Sequence, residues 1–337
     1  MNRFDYVRPE TVADAVTAMA GGSNARFIAG GTNLVDLMKY NVEQPGRLID
    51  ITRLPLKTIE ARDGGLSIGA LVTNSTVAYD PAVNERYPLL ASAILAGASG
   101  QLRNAATTGG NLNQRTRCYY FYDEATPCNK RQPGSGCPAI GGVNRIHAIF
   151  GTSPNCIATH PSDMCVGLAA LDATVRVAGP EGERVIPFGE YHRLPGDTPE
   201  QDTTLKPGEI VLSVDLPDEE FGPHHTYLKL RDRLSYAFAL VSVATVMKLD
   251  GDTIRSARFA LGGVAHKPWR DAEAEAYLAG KPATHETFAA AANIVVAAAQ
   301  PQSENAFKVE LARRAIIRGL SQAAAGTPQS QSDKRIA

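Results

Sequence analysis

A chain of 337 residues, 44% of them hydrophobic, is long enough for two or three domain-sized cores. Its 34 Lys and Arg against 35 Asp and Glu give a net charge of −1. No basic excess exists to neutralise phosphates, which argues against nucleic acid or an anionic membrane as the main partner. No apolar run approaches the roughly 20 residues that span a bilayer. The N-terminus MNRFDYVRPE has neither an apolar core nor a twin-arginine pair, so it reads as carrying no export signal. The default compartment is then the cytoplasm, with folded export alongside a signal-bearing partner as the periplasmic alternative.

In chain order, residues 4–8 predict a short strand. Glu10 to Ala20 predicts a helix with Val12, Ala15, Val16 and Met19 on one face. Arg26 to Ala29 predicts a strand, Gly30-Gly31-Thr32-Asn33 a turn, LVDLMKY a helix and RLIDI (47–51) another strand, together a small parallel β-α-β unit. From Leu66 to Pro217 strands and helices mix: LSIGALV, LLASAILAGASG, ATVRVAG and EIVLSVDLP. A new unit begins near residue 220 with the strands YLKLRD, LVSVATVMKLD (the apolar run from Ala237 to Met247) and IRSARFALGG. Asp250-Gly251-Asp252 supplies a hairpin signal between the last two. Helices follow at 269–279, 285–299 and 303–320. The expected class is α+β: residues 1–220 as one domain containing an irregular loop at 112–156, residues 221–325 as an antiparallel sheet with helices, and 326–337 as a polar, disordered tail.

Two turns pair glycines with hydroxyl and amide side chains: Ile28-Ala29-Gly30-Gly31-Thr32-Asn33-Leu34 and Thr107-Thr108-Gly109-Gly110-Asn111. Glycine lets backbone approach an anion closely, and a following helix N-terminus points free N–H groups at it. Either alone would serve as an ordinary tight turn; the two together could hold both ends of one pyrophosphate. The spacing G-x-G-x-x-G is absent, which argues against a plain nicotinamide site.

Four cysteines, Cys118, Cys128, Cys137 and Cys156, stand in the Gly-, Pro- and Arg-rich stretch 112–156. Such a long irregular loop is uncommon unless functional or stapled, and a metal cluster would staple it. Zinc sites favour C-x₂₋₄-C pairs, and none is present. Cys165 lies in PSDMCVGLAALDA, behind a Ser162/Asp163 cap signal, and reads as a buried helix residue. His147, His160, His224, His225 and His266 are scattered without metal-ligand helical spacing and read as structural. A phosphate-cradling turn beside a thiolate set is the arrangement of an electron-transfer protein with one organic and one inorganic cofactor.

FIAGGTNLVDLMKY resembles the first flavin loop of the FAD-binding (medium) subunits of the xanthine dehydrogenase and aldehyde oxidoreductase family of molybdenum hydroxylases. ATTGGNLN resembles the second loop, and HPSDMCVGLAALDATV, LKPGEIVLSVDLP, YLKLRDRLSYAFALVSVA and ALGGVAHKPWR follow in the expected order. The second loop departs from the usual pattern by continuing as NQRTRCYYF. That departure resembles the branch whose flavin subunit also carries a [4Fe–4S] cluster, such as the periplasmic aldehyde oxidoreductases, with 4-hydroxybenzoyl-CoA reductases as the alternative. A free-standing flavin oxidase with structural zinc is a third reading.

The resemblance implies a two-subdomain FAD-binding domain of the vanillyl-alcohol-oxidase type and a C-terminal domain like that of carbon monoxide dehydrogenase flavoproteins. It implies FAD and a [4Fe–4S] cluster, a large molybdenum-cofactor subunit and a small [2Fe–2S] subunit as partners, and an external electron acceptor. Ile28 to Leu34 would wrap the pyrophosphate, with Thr107, Thr108, Gly109, Gly110 and Asn111 beside it. Asp163, Val211 and Lys229 would lie near the flavin, Tyr236 over its ring, and Cys118, Cys128, Cys137 and Cys156 would hold the cluster.

Overall fold

The computed structural model describes residues 2–21 and 24–331. Three parallel strands open the chain: β1 (Asp5–Val7), β2 (Ala25–Ile28) and β3 (Arg47–Asp50), in the order β1-β3-β2. The helices Val12–Ala20 and Leu34–Lys39 make the connections. Thr11 caps the first by accepting a hydrogen bond from Asp14 N (3.1 Å). Ala15, Ile49 and Leu54 fill the core of this unit.

The second sheet has five strands: β4 (Ile59–Arg62), β5 (Gly65–Gly69), β6 (Thr174–Gly179), β7 (Gly182–Pro187) and β8 (Ile210–Leu216). They run antiparallel in the order β4-β5-β8-β6-β7. The long excursion between β5 and β6 carries the second glycine turn and all five cysteines. Two of its helices, Pro88–Ala96 and Asp163–Ala170, are almost wholly buried and pack together.

The third sheet, β9 (His225–Leu230), β10 (Val241–Asp250) and β11 (Thr253–Gly262), is antiparallel in the order β11-β10-β9. Gly251, at φ +57°, turns the hairpin. The central strand β10 packs on one side against the helix Phe307–Ala325 and on the other against Asp163–Ala170. This double burial is why its sequence reads as an unbroken apolar run rather than an alternation. The helices Ala272–Leu278 and His285–Ala297 complete the unit. The α+β class expected from sequence holds, and no sheet crosses residue 220.

Several boundaries differ from expectation. β10 begins at Val241 rather than 237, because Ala237 to Ala239 lie in an irregular loop. Segment 112–156 contains one short helix, Tyr119–Tyr122. The last helix runs to Ala325 and ends at Gly326 in the left-handed region (φ +64°). Residues 327–331 do not dangle as the expected polar tail does. Gln329 N donates to Thr226 Oγ1 (3.0 Å), and Gln331 Nε2 donates to Tyr227 O (2.9 Å). The reason is that β9 is an edge strand whose backbone acceptors need partners. The rest of that expectation, residues 332–337, lies outside the described residues.

Candidate functional site

A cleft of about 650 Å³ lies between the parallel unit and the five-stranded sheet, within the ~300–1,000 Å³ typical of small-molecule sites. Ile28, Ala29, Gly30, Gly31, Thr32, Asn33 and Leu34 form one wall, Thr107, Gly109 and Gly110 another, and Val211 on β8 the floor. Gly30 sits so close to the second turn that a Cβ there would fall 1.9 Å from Ala105 O. Gly31 takes φ +72°, which disfavours any side chain. The first backbone bond of the helix Leu34–Lys39 is Val35 N to Gly31 O (3.0 Å). The amides before it are therefore the helix's orphan donors, suited to an anion. Thr107 caps the second turn by accepting from Gly110 N (3.2 Å).

Other residues expected at the flavin stand behind these walls. Thr108 is buried and donates through Oγ1 to Val72 O (3.0 Å). Asn111 accepts from Ser162 Oγ (2.6 Å) through Oδ1. Asp163 and Lys229 form a buried ion pair (2.8 Å), with Tyr227 donating to Asp163 Oδ1 (2.6 Å), and neither lines the cleft. Tyr236 is exposed on the loop after β9, at φ +51°.

Beside the cleft is a second, small, enclosed pocket lined by Cys118, Cys128, Cys137 and Cys156 together with Lys130 and His147. All four are free thiols. His147 Nε2 lies 3.1 Å from Cys118 Sγ. Cys156 hydrogen-bonds Cys137, which draws the Cys137 thiol down to about 6 and raises that of Cys156. Burial pushes Cys118 up to about 12. A mononuclear tetrahedral zinc, with Zn–S near 2.3 Å, needs sulfurs roughly 3.8 Å apart. Among the described residues only His160, Cys165 and His192 bring three ligand atoms within 4.8 Å of one another. Among the described residues no three of the four loop thiols reach that spacing, although all four line one pocket. Cys165, fully buried in the helix Asp163–Ala170, does not line this pocket.

The two cavities are neighbours. Leu37 lines the cleft and belongs to the same buried cluster as Cys118, Cys128 and Cys156. Arg115 N donates to Asn33 Oδ1 (3.0 Å), tying the first glycine loop to the thiol segment. Asp202 accepts from Lys130 Nζ (2.6 Å) and Arg115 Nε (2.8 Å), and Arg115 Nη1 also reaches Glu43 Oε1 (2.6 Å). Burial opposes ionisation of Asp202, but Lys130 and Arg115 hold its carboxyl well below the usual range. Sequence reasoning missed Glu43 and Asp202, because no periodicity or motif links residues so far apart.

The far side of the thiol segment is held by the last helix. Asn305 Nδ2 donates to His147 O (3.3 Å) and Ala148 O (3.2 Å), and Lys308 Nζ to His147 O (2.8 Å) and to Gly263 O. Lys308 is fully buried, and burial lowers it to about 7.

Residues 2–219 match the family described as the FAD binding domain in molybdopterin dehydrogenase, and residues 225–323 the CO dehydrogenase flavoprotein C-terminal domain. The chain belongs to this flavoprotein family. It is 51% identical over 328 residues to the aldehyde oxidoreductase FAD-binding subunit PaoB of Escherichia coli K12, covering 96% of this chain and 99% of that one. The glyceraldehyde dehydrogenase medium chain of Sulfolobus acidocaldarius is 28% identical over 90% of each chain. A solved carbon monoxide dehydrogenase from Hydrogenophaga pseudoflava superposes with TM-score 0.76 at 28% identity, covering 96% of this chain and 98% of that one. Members of this family are oxidoreductase components, medium subunits of larger dehydrogenases. Among the described residues no helix is long and apolar enough to cross a membrane.

Proposed function

We propose that this chain is the FAD- and [4Fe–4S]-binding electron-transfer subunit of a molybdenum-dependent aldehyde oxidoreductase. The observation that carries the reading is proximity. Leu37 lines a flavin-sized cleft and belongs to the same buried cluster as three of the four cysteines that line the neighbouring pocket. The residues fit both groups. Gly30, Gly31, Thr107 and Gly110 offer close backbone approach for a pyrophosphate, and Cys118, Cys128, Cys137 and Cys156 offer four thiolate ligands. When bound, the flavin supplies a two-electron carrier able to exchange single electrons and the cluster a one-electron carrier. The chain's part is positional. Asn33, tied to Arg115, fixes the first loop against the thiol segment, and Lys130 places a buried cation beside the thiolates. Partners would be a molybdenum-cofactor subunit and a small [2Fe–2S] subunit delivering electrons, with an external acceptor removing them.

The test is anaerobic purification of the chain with its partners, followed by iron, zinc and flavin analysis. Each of Cys118→Ser, Cys128→Ser, Cys137→Ser and Cys156→Ser is expected to lower iron by the four atoms of one cluster and to expose segment 112–156 to protease. Cys165→Ala is expected to leave iron unchanged at a packing cost of about 1–2 kcal/mol. Zinc without iron in the wild type, or iron loss confined to Cys165→Ala, would overturn the ligand assignment.

A further inference from the structure

Behind the second glycine turn, His160, Cys165 and His192 each bring one ligand atom within 4.8 Å of the others. His160 and Cys165 flank the capped start of the helix Asp163–Ala170, His192 comes from a separate segment, and all are buried: Cys165 at 0% exposure, His192 at 3% and His160 at 9%. The imidazole centroids are 4.3 Å apart. His192 Nε2 is committed to Leu112 O (2.8 Å), while its Nδ1 has no partner. His160 Nδ1 accepts from Ser162 N (3.4 Å), and its Nε2 has no partner. Buried polar atoms left bare are rare and call for an occupant. A ring nitrogen anchored to a backbone carbonyl, with the opposite nitrogen free, is how metal-ligating histidines are oriented.

We propose that His160, Cys165 and His192 form a buried site for a single thiophilic d¹⁰ cation, copper(I) or zinc. Two imidazoles and one thiolate match the softness of these ions, and no carboxylate takes part that would favour calcium or magnesium. Burial keeps the imidazoles in the neutral form a metal needs: it lowers His192 to about 4 and His160 well below its usual value. Burial also raises the Cys165 thiol to about 12, so the entering ion must displace that proton to solvent. The ion would knit the start of the Asp163–Ala170 helix to the segment of His192, directly behind the turn 107–111. Leu112 O holds His192, and Asn111 holds Ser162, the cap of the Cys165 helix.

The test uses the full chain, iron-loaded and anaerobic, dialysed separately against zinc chloride and a copper(I) salt. Bound metal is counted by mass spectrometry, and its ligands are read by X-ray absorption at the zinc or copper edge. One ion per chain with a two-nitrogen, one-sulfur shell is expected, together with a metal-dependent rise in Tm. His192→Ala and Cys165→Ser should each lose the ion at least tenfold more readily to a competing chelator, with iron unchanged. Either ion in that shell supports the site. An all-sulfur shell, or no ion beyond that bound by His192→Ala or Cys165→Ser, overturns it. The wild-type spectrum decides even where a variant fails to fold, and iron content reports on the loop thiols separately.

Discussion

Asp202→Ala is expected to release flavin and iron together and to cost about 3–5 kcal/mol of stability, the usual penalty for orphaning a buried charge. Lys130 has a side chain 1% exposed, and among the described residues Asp202 is its only ion-pair partner, at 2.6 Å. The same carboxylate takes the second hydrogen bond, from Arg115 Nε, at 2.8 Å. Removing it frees the thiol segment on one side of Lys130 and the cleft wall on the other. The pH dependence has a definite sign. A carboxyl held below its unfolded value of about 3.9 contributes stability that is complete above that value and lost as pH falls through the folded one. Wild type and Asp202→Ala should therefore differ most near neutrality and converge in acid. Urea unfolding at pH 7 and at about pH 2, with flavin and iron counted on the pH 7 samples, checks this. A variant that keeps both groups and the wild-type midpoint at pH 7 would remove Asp202 from the proposed coupling. Lys130→Met with Asp202→Leu should recover much of the stability, because no buried charge is left unpaired.

Gly30→Val should abolish flavin retention while sparing most of the iron. A Cβ at this position would lie 1.9 Å from Ala105 O and 2.7 Å from Ala105 C, which are backbone atoms with little freedom to move. The two glycine turns must then separate, widening the gap that would hold a pyrophosphate. Overpacking of this kind costs roughly 1–3 kcal/mol, and a backbone clash lies at the upper end. Because the thiol pocket is anchored through Asn305, Lys308 and Lys130 rather than through Gly30, its iron is expected to survive. Flavin absorbance and iron per chain measure the two effects. A fully yellow Gly30→Val protein would contradict a flavin held between these turns.

The fold was largely legible from patterning. The parallel unit follows from strand-turn-helix chemistry around Gly30 and Gly31, and the C-terminal hairpin from Gly251 between two apolar runs. Misplaced boundaries turn on tertiary contacts. Ala237 to Ala239 are apolar yet looped, and Gln329 and Gln331 are polar yet ordered, held by the Thr226 hydroxyl and the Tyr227 carbonyl of edge strand β9. In the site, the glycine turns and the cysteines carry local signatures and are found on two adjoining cavities. The links between them do not, since Leu37, Glu43, Arg115 and Asp202 are ordinary residues made important only by meeting. Asp163 and Lys229, singled out by resemblance, pair with each other behind the cleft wall.

The grip of Asn305 and Lys308 on the carbonyls of His147 and Ala148 has a consequence for how the protein is made. The four thiols leave the ribosome well before the helix that secures them. Residue 156 precedes residue 304 by a delay of roughly 7–30 s at ordinary elongation rates. Throughout that interval the thiols are unshielded, open to oxidation and to adventitious metals. A chain cut short before residue 304 would lack this brace on the cysteine-bearing segment. The contact that braces the finished segment is thus among the last that the growing chain can make.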